Sequence, residues 1–302
     1  MHGIDPQRGA SPSRAKTLAV LRRLLAKAGD NGPTAERAAR FALGAPGVDA
    51  FLGGGLGRAC LHEIHAPWSA DWSAAAGFSL AMALRAASGR PLFWARQDFL
   101  EGEAGRLNGV GLAEFGVDPV ILSLVRGRDA EAVLRAGVEA ARCKSLGAAL
   151  IEIFGAPRAL DLTATLRLAR AAEASGVTVF LLRIRAGQEA AQETGIPIGP
   201  LAGTQAKTGP PPSAAASRWR ARAQNSRALA ANAPGAPCFS VTLLRHRGGA
   251  ADRSWRLEWL RDRGLFHEAA DSLSATLSGP VAAVPADRQI ASGLERGRRA
   301  TG

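Results

Sequence analysis

The 302-residue chain predicts an α/β fold, a mostly parallel sheet covered by helices. Three observations carry that prediction. From about 38 to 205, apolar strand-like runs alternate with alanine-rich helical runs, the pattern of parallel strands joined by crossover helices. Within that stretch AALIEIF at 148–154 is short and apolar, as befits a strand covered on both faces. LHEIHAPWSADWSAAAGFSLAMALR at 61–85 has the strand–loop–helix layout of a phosphate-binding loop.

The elements follow in order. Residues 1–13 are rich in Gly, Pro and Ser and read as loose chain. Residues 14–28 predict an amphipathic helix with Leu18, Leu21 and Leu25 on one stripe and Gly29 as its C-cap, an arm ahead of the core. Strands are predicted at 60–65, 91–96, 119–125, 147–154 and 177–183, with helices at about 73–88, 101–114, 129–144 and 158–175. Pro and Gly density over 186–216 marks a long loop. The alternating runs CFSVTLLRHR at 238–247 and SWRLEWL at 254–260, joined by GGAAD, predict a C-terminal β-hairpin. The domain reading is 1–37 as flexible terminus and helix, 38–268 as the core, and 269–302 as a disordered basic tail.

Composition narrows the function classes. Hydrophobic content of 47% suits a globular chain, and no stretch approaches the roughly 18 apolar residues of a membrane span. The N-terminus has no apolar core and is not read as a secretion signal. Cys60, Cys143 and Cys238 are few and scattered, which fits a reducing cytoplasm and neither a disulfide framework nor a zinc cluster. His62 and His65, three apart in a strand, face opposite sides, so no metal site is expected there. The net charge of +12 is almost all arginine and favours phosphate backbones or acidic partners, although an Ala- and Gly-rich composition suggests coding bias as well.

The loop itself lacks phosphate-holding residues. In a working GxxxxGK[ST] loop, glycines admit backbone N–H groups to the phosphates and lysine neutralises them. Here the run is APWSADWS. Ala66, followed by Pro67, stands at the first glycine, Asp71 at the second, Trp72 at the lysine and Ser73 at the hydroxyl. Aspartate adds negative charge and an indole supplies no cation. The frame therefore predicts a retired nucleotide site kept as architecture; the plainer alternative is an ordinary strand-to-helix turn. No cofactor is expected, although the first backbone amides of such a helix still attract anions.

The residues also resemble a family. LGAPGVDAFLGGGLGRACLHEIHAP at 43–67 and SGRPLFWARQDFL at 88–100 look like the opening of a RecA-type core. In hydrolysing relatives the second strand ends in a glutamate that activates water; here Gln97 stands there, and an amide is no general base. IEIFGAPRALDLTATLRLARAAEASG at 151–176, FLLR at 180–183, SRWRAR at 217–222 and LLRHRGG to SWRLEW at 243–259 resemble the ImuA family, RecA-like accessory factors of SOS mutagenesis. The resemblance implies a non-catalytic subunit of an error-prone translesion synthesis complex. It would contact RecA and an ImuB-type Y-family polymerase relative, with an alternative DnaE-type polymerase as an indirect partner, in the cytoplasm at the nucleoid. It also implies that the helix at 14–28 packs on RecA or on a second copy.

Two side-chain groups carry alternatives. Glu152 lies near the magnesium-holding position of such cores, where it is either a leftover ligand or a carboxylate paired with Arg158 or Arg183. Arg218, Trp219, Arg220 and Arg222 either stack and grip single-stranded DNA, weakly and salt-sensitively, or form a strand with the tryptophan buried and the arginines outward. Two further function classes stay open: a DNA-stimulated ATPase or recombinase of the RecA superfamily, and a SulA-like inhibitor of cell division.

Overall fold

A computed structural model describes residues 40–184 and 211–269, apart from 228, 231, 232, 234 and 250. The helix expected at 14–28, most of the expected loop at 186–216 and the expected tail after 269 lie outside the described residues.

The chain begins its described course with β1 (Arg40–Phe41), α1 (Pro46–Phe51) and β2 (Leu56–Gly57). The core strands and helices follow: β3 (Leu61–Ala66), α2 (Trp72–Ala87), β4 (Leu92–Gln97), α3 (Leu100–Ala104), α4 (Gly109–Glu114), β5 (Leu122–Gly127), α5 (Ala130–Arg142), β6 (Ala148–Phe154), α6 (Leu162–Ser175) and β7 (Thr178–Ile184). Four strands finish the sheet: β8 (Ser217–Gln224), β9 (Cys238–His246), β10 (Arg253–Leu260) and β11 (Leu265–Glu268). Nine of these strands form one sheet in the order β11-β10-β9-β8-β3-β7-β6-β4-β5. The run from β8 to β5 is parallel, and β9, β10 and β11 add antiparallel strands. This is the α/β core with a mostly parallel, helix-flanked sheet expected from the sequence, with β3 and its loop at the centre and the C-terminal hairpin at one side.

Parallel strands need cover on both faces, and the sheet has it. One core holds α2 and the 41–56 segment against Ile64, Leu150, Phe180, Leu182 and Trp219. The other holds α5 and α6 against Leu61, Ile151, Ile153, Val179 and Leu181. Strand period two sends alternate residues to the two cores, so β6 contributes Leu150 to one and Ile151 to the other.

Where boundaries differ from the expectation, local chemistry explains it. The run at 101–114 is two short helices, because glycine is a poor helix former and Gly105 takes a φ of 79° between them. The helix expected from 158 starts at Leu162, where Asp161 accepts a hydrogen bond from Ala164 N at 2.7 Å. The strand expected from 119 starts at Leu122, after a 3₁₀ turn capped by Asp118.

Candidate functional site

β3 ends at Ala66, buried Pro67 follows, and a 3₁₀ turn over Ser69–Asp71 delivers the chain to α2. Trp72 is the first residue of that helix and Ser73, the second, is exposed. An N-terminal aspartate usually caps its own helix. Asp71 does not: α2 has no side-chain cap, and the Asp71 carboxylate instead accepts from Ala223 N of β8 at 2.8 Å, with Arg222 Nε 3.7 Å from its other oxygen.

Trp72 turns inward to the sheet. Its indole N–H donates to Glu152 Oε1 on β6, and the indole of Trp94 on β4 donates to Glu152 Oε2 at 2.9 Å. Arg96 Nε lies 3.4 Å from the same oxygen, and its guanidinium sits 5.1 Å from the Trp72 ring centre, a cation–π contact. Trp94, Arg96 and Glu152 are buried. Burial pushes the Glu152 carboxyl above its ordinary range, while the Arg96 charge and the two indole hydrogen bonds pull the other way.

The group closes on itself. Trp72 donates its one N–H to the Glu152 carboxylate, and that carboxylate's charge is opposed by Arg96 of the neighbouring strand. Asp71 stands at the head of α2 as its N-cap residue. A cavity of about 670 Å³ runs beside it along α2 toward Leu112, Phe115 and Phe239, so its walls are largely apolar.

Several expected roles are corrected. Glu152 pairs with neither Arg158 nor Arg183; its ionic partner is Arg96, because β4 and not β7 presents an arginine to the α2 face. Gln97 does not join the Trp72 group: its side-chain oxygen accepts from Phe154 N at 2.8 Å and ties the ends of β4 and β6 together. Trp219 is buried against Phe78 and Trp255, so it cannot stack on a base. Arg218 is also buried and cannot reach a phosphate, and the outward course expected for it is wrong. Of that run Arg222 is exposed and leans on Asp71, and Arg220 is half-buried.

Arg218 belongs to a second buried charge group that sequence reasoning missed. Glu63, in the middle of β3, accepts from Arg183 Nη1 at 2.8 Å and from Arg218 Nε at 2.9 Å, with His65 Nε2 at 3.4 Å. Burial alone would push the Glu63 carboxyl up; His65, Arg183 and Arg218 outweigh it and hold the group well below the usual carboxylate range. The signal was a lone carboxylate inside a strand covered on both faces, with Arg218 level with it on β8 and Arg183 two residues along on β7, level with His65. His62, facing the other core, hydrogen-bonds Ser217 Oγ at 2.7 Å and the Gly57 carbonyl at 2.8 Å.

No family model matches the sequence, and no curated protein sequence does either. Among solved structures, the crystal structure of the RadB recombinase is similar at 15% identity, over 76% of this chain and 100% of that one, with a TM-score of 0.47.

Proposed function

We propose that this chain is a non-catalytic RecA-like accessory subunit of an SOS-induced error-prone translesion synthesis complex. It works through contacts with RecA and an ImuB-type polymerase relative, and reaches a DnaE-type polymerase indirectly. One observation supports the non-catalytic half most directly: the place of the phosphate-binding lysine is taken by an indole hydrogen-bonded to Glu152. A triphosphate at the head of α2 would meet the Asp71 carboxylate there instead of an ammonium group, and displacing Trp72 would leave buried Glu152 Oε1 without its donor. Gln97, engaged with the backbone of β6, adds no base to activate water.

The partner half rests on the resemblance of the runs at 151–176, 217–222 and 243–259 to the ImuA family. The amphipathic segment at 14–28, with Leu18, Leu21 and Leu25, is the part we assign to RecA contact. The test is co-purification of the tagged full chain from DNA-damaged cells. RecA and the Y-family relative are expected in the eluate, with RecA lost when residues 1–32 are removed. An eluate holding neither would contradict the assignment, and one holding a tubulin-like division protein would favour the SulA-like alternative.

A further inference from the structure

The end of the sheet opposite the candidate site gathers arginines from separate parts of the chain. Arg58 precedes β3, Arg90 precedes β4, and Arg85 lies in the last turn of α2. Arg40 pairs across to Gly57, beside Arg58. Arg247 follows β9, whose His246 is level with Ser217 and so with His62 near the start of β3. The guanidinium groups are fixed by neutral oxygens. Arg58 Nη2 donates to Ser88 Oγ at 2.9 Å and to the Arg85 carbonyl at 3.3 Å, and Arg85 Nε donates to the Ala42 carbonyl at 2.9 Å. Arg40 Nη1 donates to the carbonyls of Leu52 and Gly55, Arg90 to that of Lys144, and Arg247 Nη2 to that of Ala214 at 2.9 Å.

None of these arginines has a carboxylate partner among the described residues. Elsewhere the pairing is different: Arg126 meets Glu101 at 3.1 Å, Arg135 meets Glu131 at 3.2 Å and Arg142 meets Glu139 at 2.8 Å. The clustered charges act on one another. Arg58 is held below its ordinary range by burial first, and then by Arg85 and Arg90. Such a concentration is unfavourable in the free protein and is relieved by an anion.

We propose that this face, built by Arg40, Arg58, Arg85, Arg90 and Arg247, binds the phosphate backbone of a nucleic acid. Planar guanidinium forks match phosphate oxygens, and the bonds to carbonyls hold them in place before a ligand arrives. A protein partner would seek an apolar anchor as well. Among the described residues the large exposed apolar side chains, Phe99, Val110, Val120, Leu124, Leu162, Leu166 and Leu229, belong to other elements. The surface does not depend on the contents of the loop before α2, nor on any of the partners proposed above.

Fluorescence anisotropy of a labelled single-stranded oligonucleotide against the full chain, across a salt series, tests this. The wild-type chain is expected to bind at about 50 mM salt, with log K falling linearly in log salt. R90Q/R247Q removes two exposed charges; it should weaken binding about tenfold at low salt and lower the slope by about 0.7 per lost contact. R135Q/R142Q removes the same charge from α5 and should change little. Thermal melts check that each variant folds, and R247Q alone reads the same effect at smaller size if the double variant melts early. Equal weakening by both pairs, or no binding by the wild type at low salt, would overturn the proposal. Displacement of the oligonucleotide by polyglutamate at equal charge would overturn it in favour of an acidic polypeptide.

Discussion

Trp72 is the residue on which the reading of the loop turns, and its role is open to a direct stability test. Replacing it with Phe keeps most of the ring and deletes the N–H that satisfies Glu152 Oε1. The stranded oxygen should cost about 1–3 kcal/mol, seen as a lower urea midpoint with an unchanged m-value. His62 gives a pH signature. Burial is the main cause that lowers its pKa to about 4, with His246 and Arg247 adding to it and the Gly57 carbonyl opposing. Because the folded state keeps the ring neutral, His62 contributes its full stability above about pH 6.5 and loses it progressively as pH falls toward 4. That term is on the order of 3 kcal/mol. The slope of unfolding free energy between pH 6.5 and 4 should therefore be shallower in H62Q, with a remainder from buried His65, whose shift has the same sign. An unchanged slope would mean that His62 is charged in the folded chain.

At the scale of elements, each face of the sheet carries a buried ionic group among the described residues, and the two were unequally legible in the sequence. The strand and helix order was readable because apolar runs and Asp or Gly punctuation are local signals, as at Asp129, Asp161 and Gly176. The frame of the loop was readable for the same reason. Charge partners were not, because they are set by strand order and register. Arg183 looked like a partner for Glu152 on their adjacent strands, yet side-chain alternation sends Arg183 to the α6 face and Glu152 to the α2 face. The inward turn of Arg218 follows from β8 pairing with β3 opposite Glu63, which no local pattern announces. Packing between elements has its own test at Gly137 of α5. A Cβ there would fall 2.4 Å from Ile151 Cδ1 and 2.8 Å from its Cγ1. Overpacking of about 1–3 kcal/mol should outweigh the roughly 1 kcal/mol of helix propensity that alanine brings. G137A is thus expected to unfold at lower denaturant, and a gain in stability would show that β6 has slack.

At the scale of the whole molecule, the described chain builds an α/β architecture in which polar groups at and around the loop before α2 serve the fold. Asp71 ties the loop to β8, Trp72 ties α2 to β6, and Gln97 ties β4 to β6. A cavity lies along α2, and a cluster of arginines lies at the far end of the sheet. Among the described residues no helix is long and apolar enough to cross a membrane. The most direct measurement is phosphate release from ATP by the purified full chain, with and without single-stranded DNA. Release indistinguishable from the protein-free blank is expected in both cases. DNA-stimulated release that disappears when Asp71 or Trp72 is replaced by alanine would contradict the non-catalytic reading.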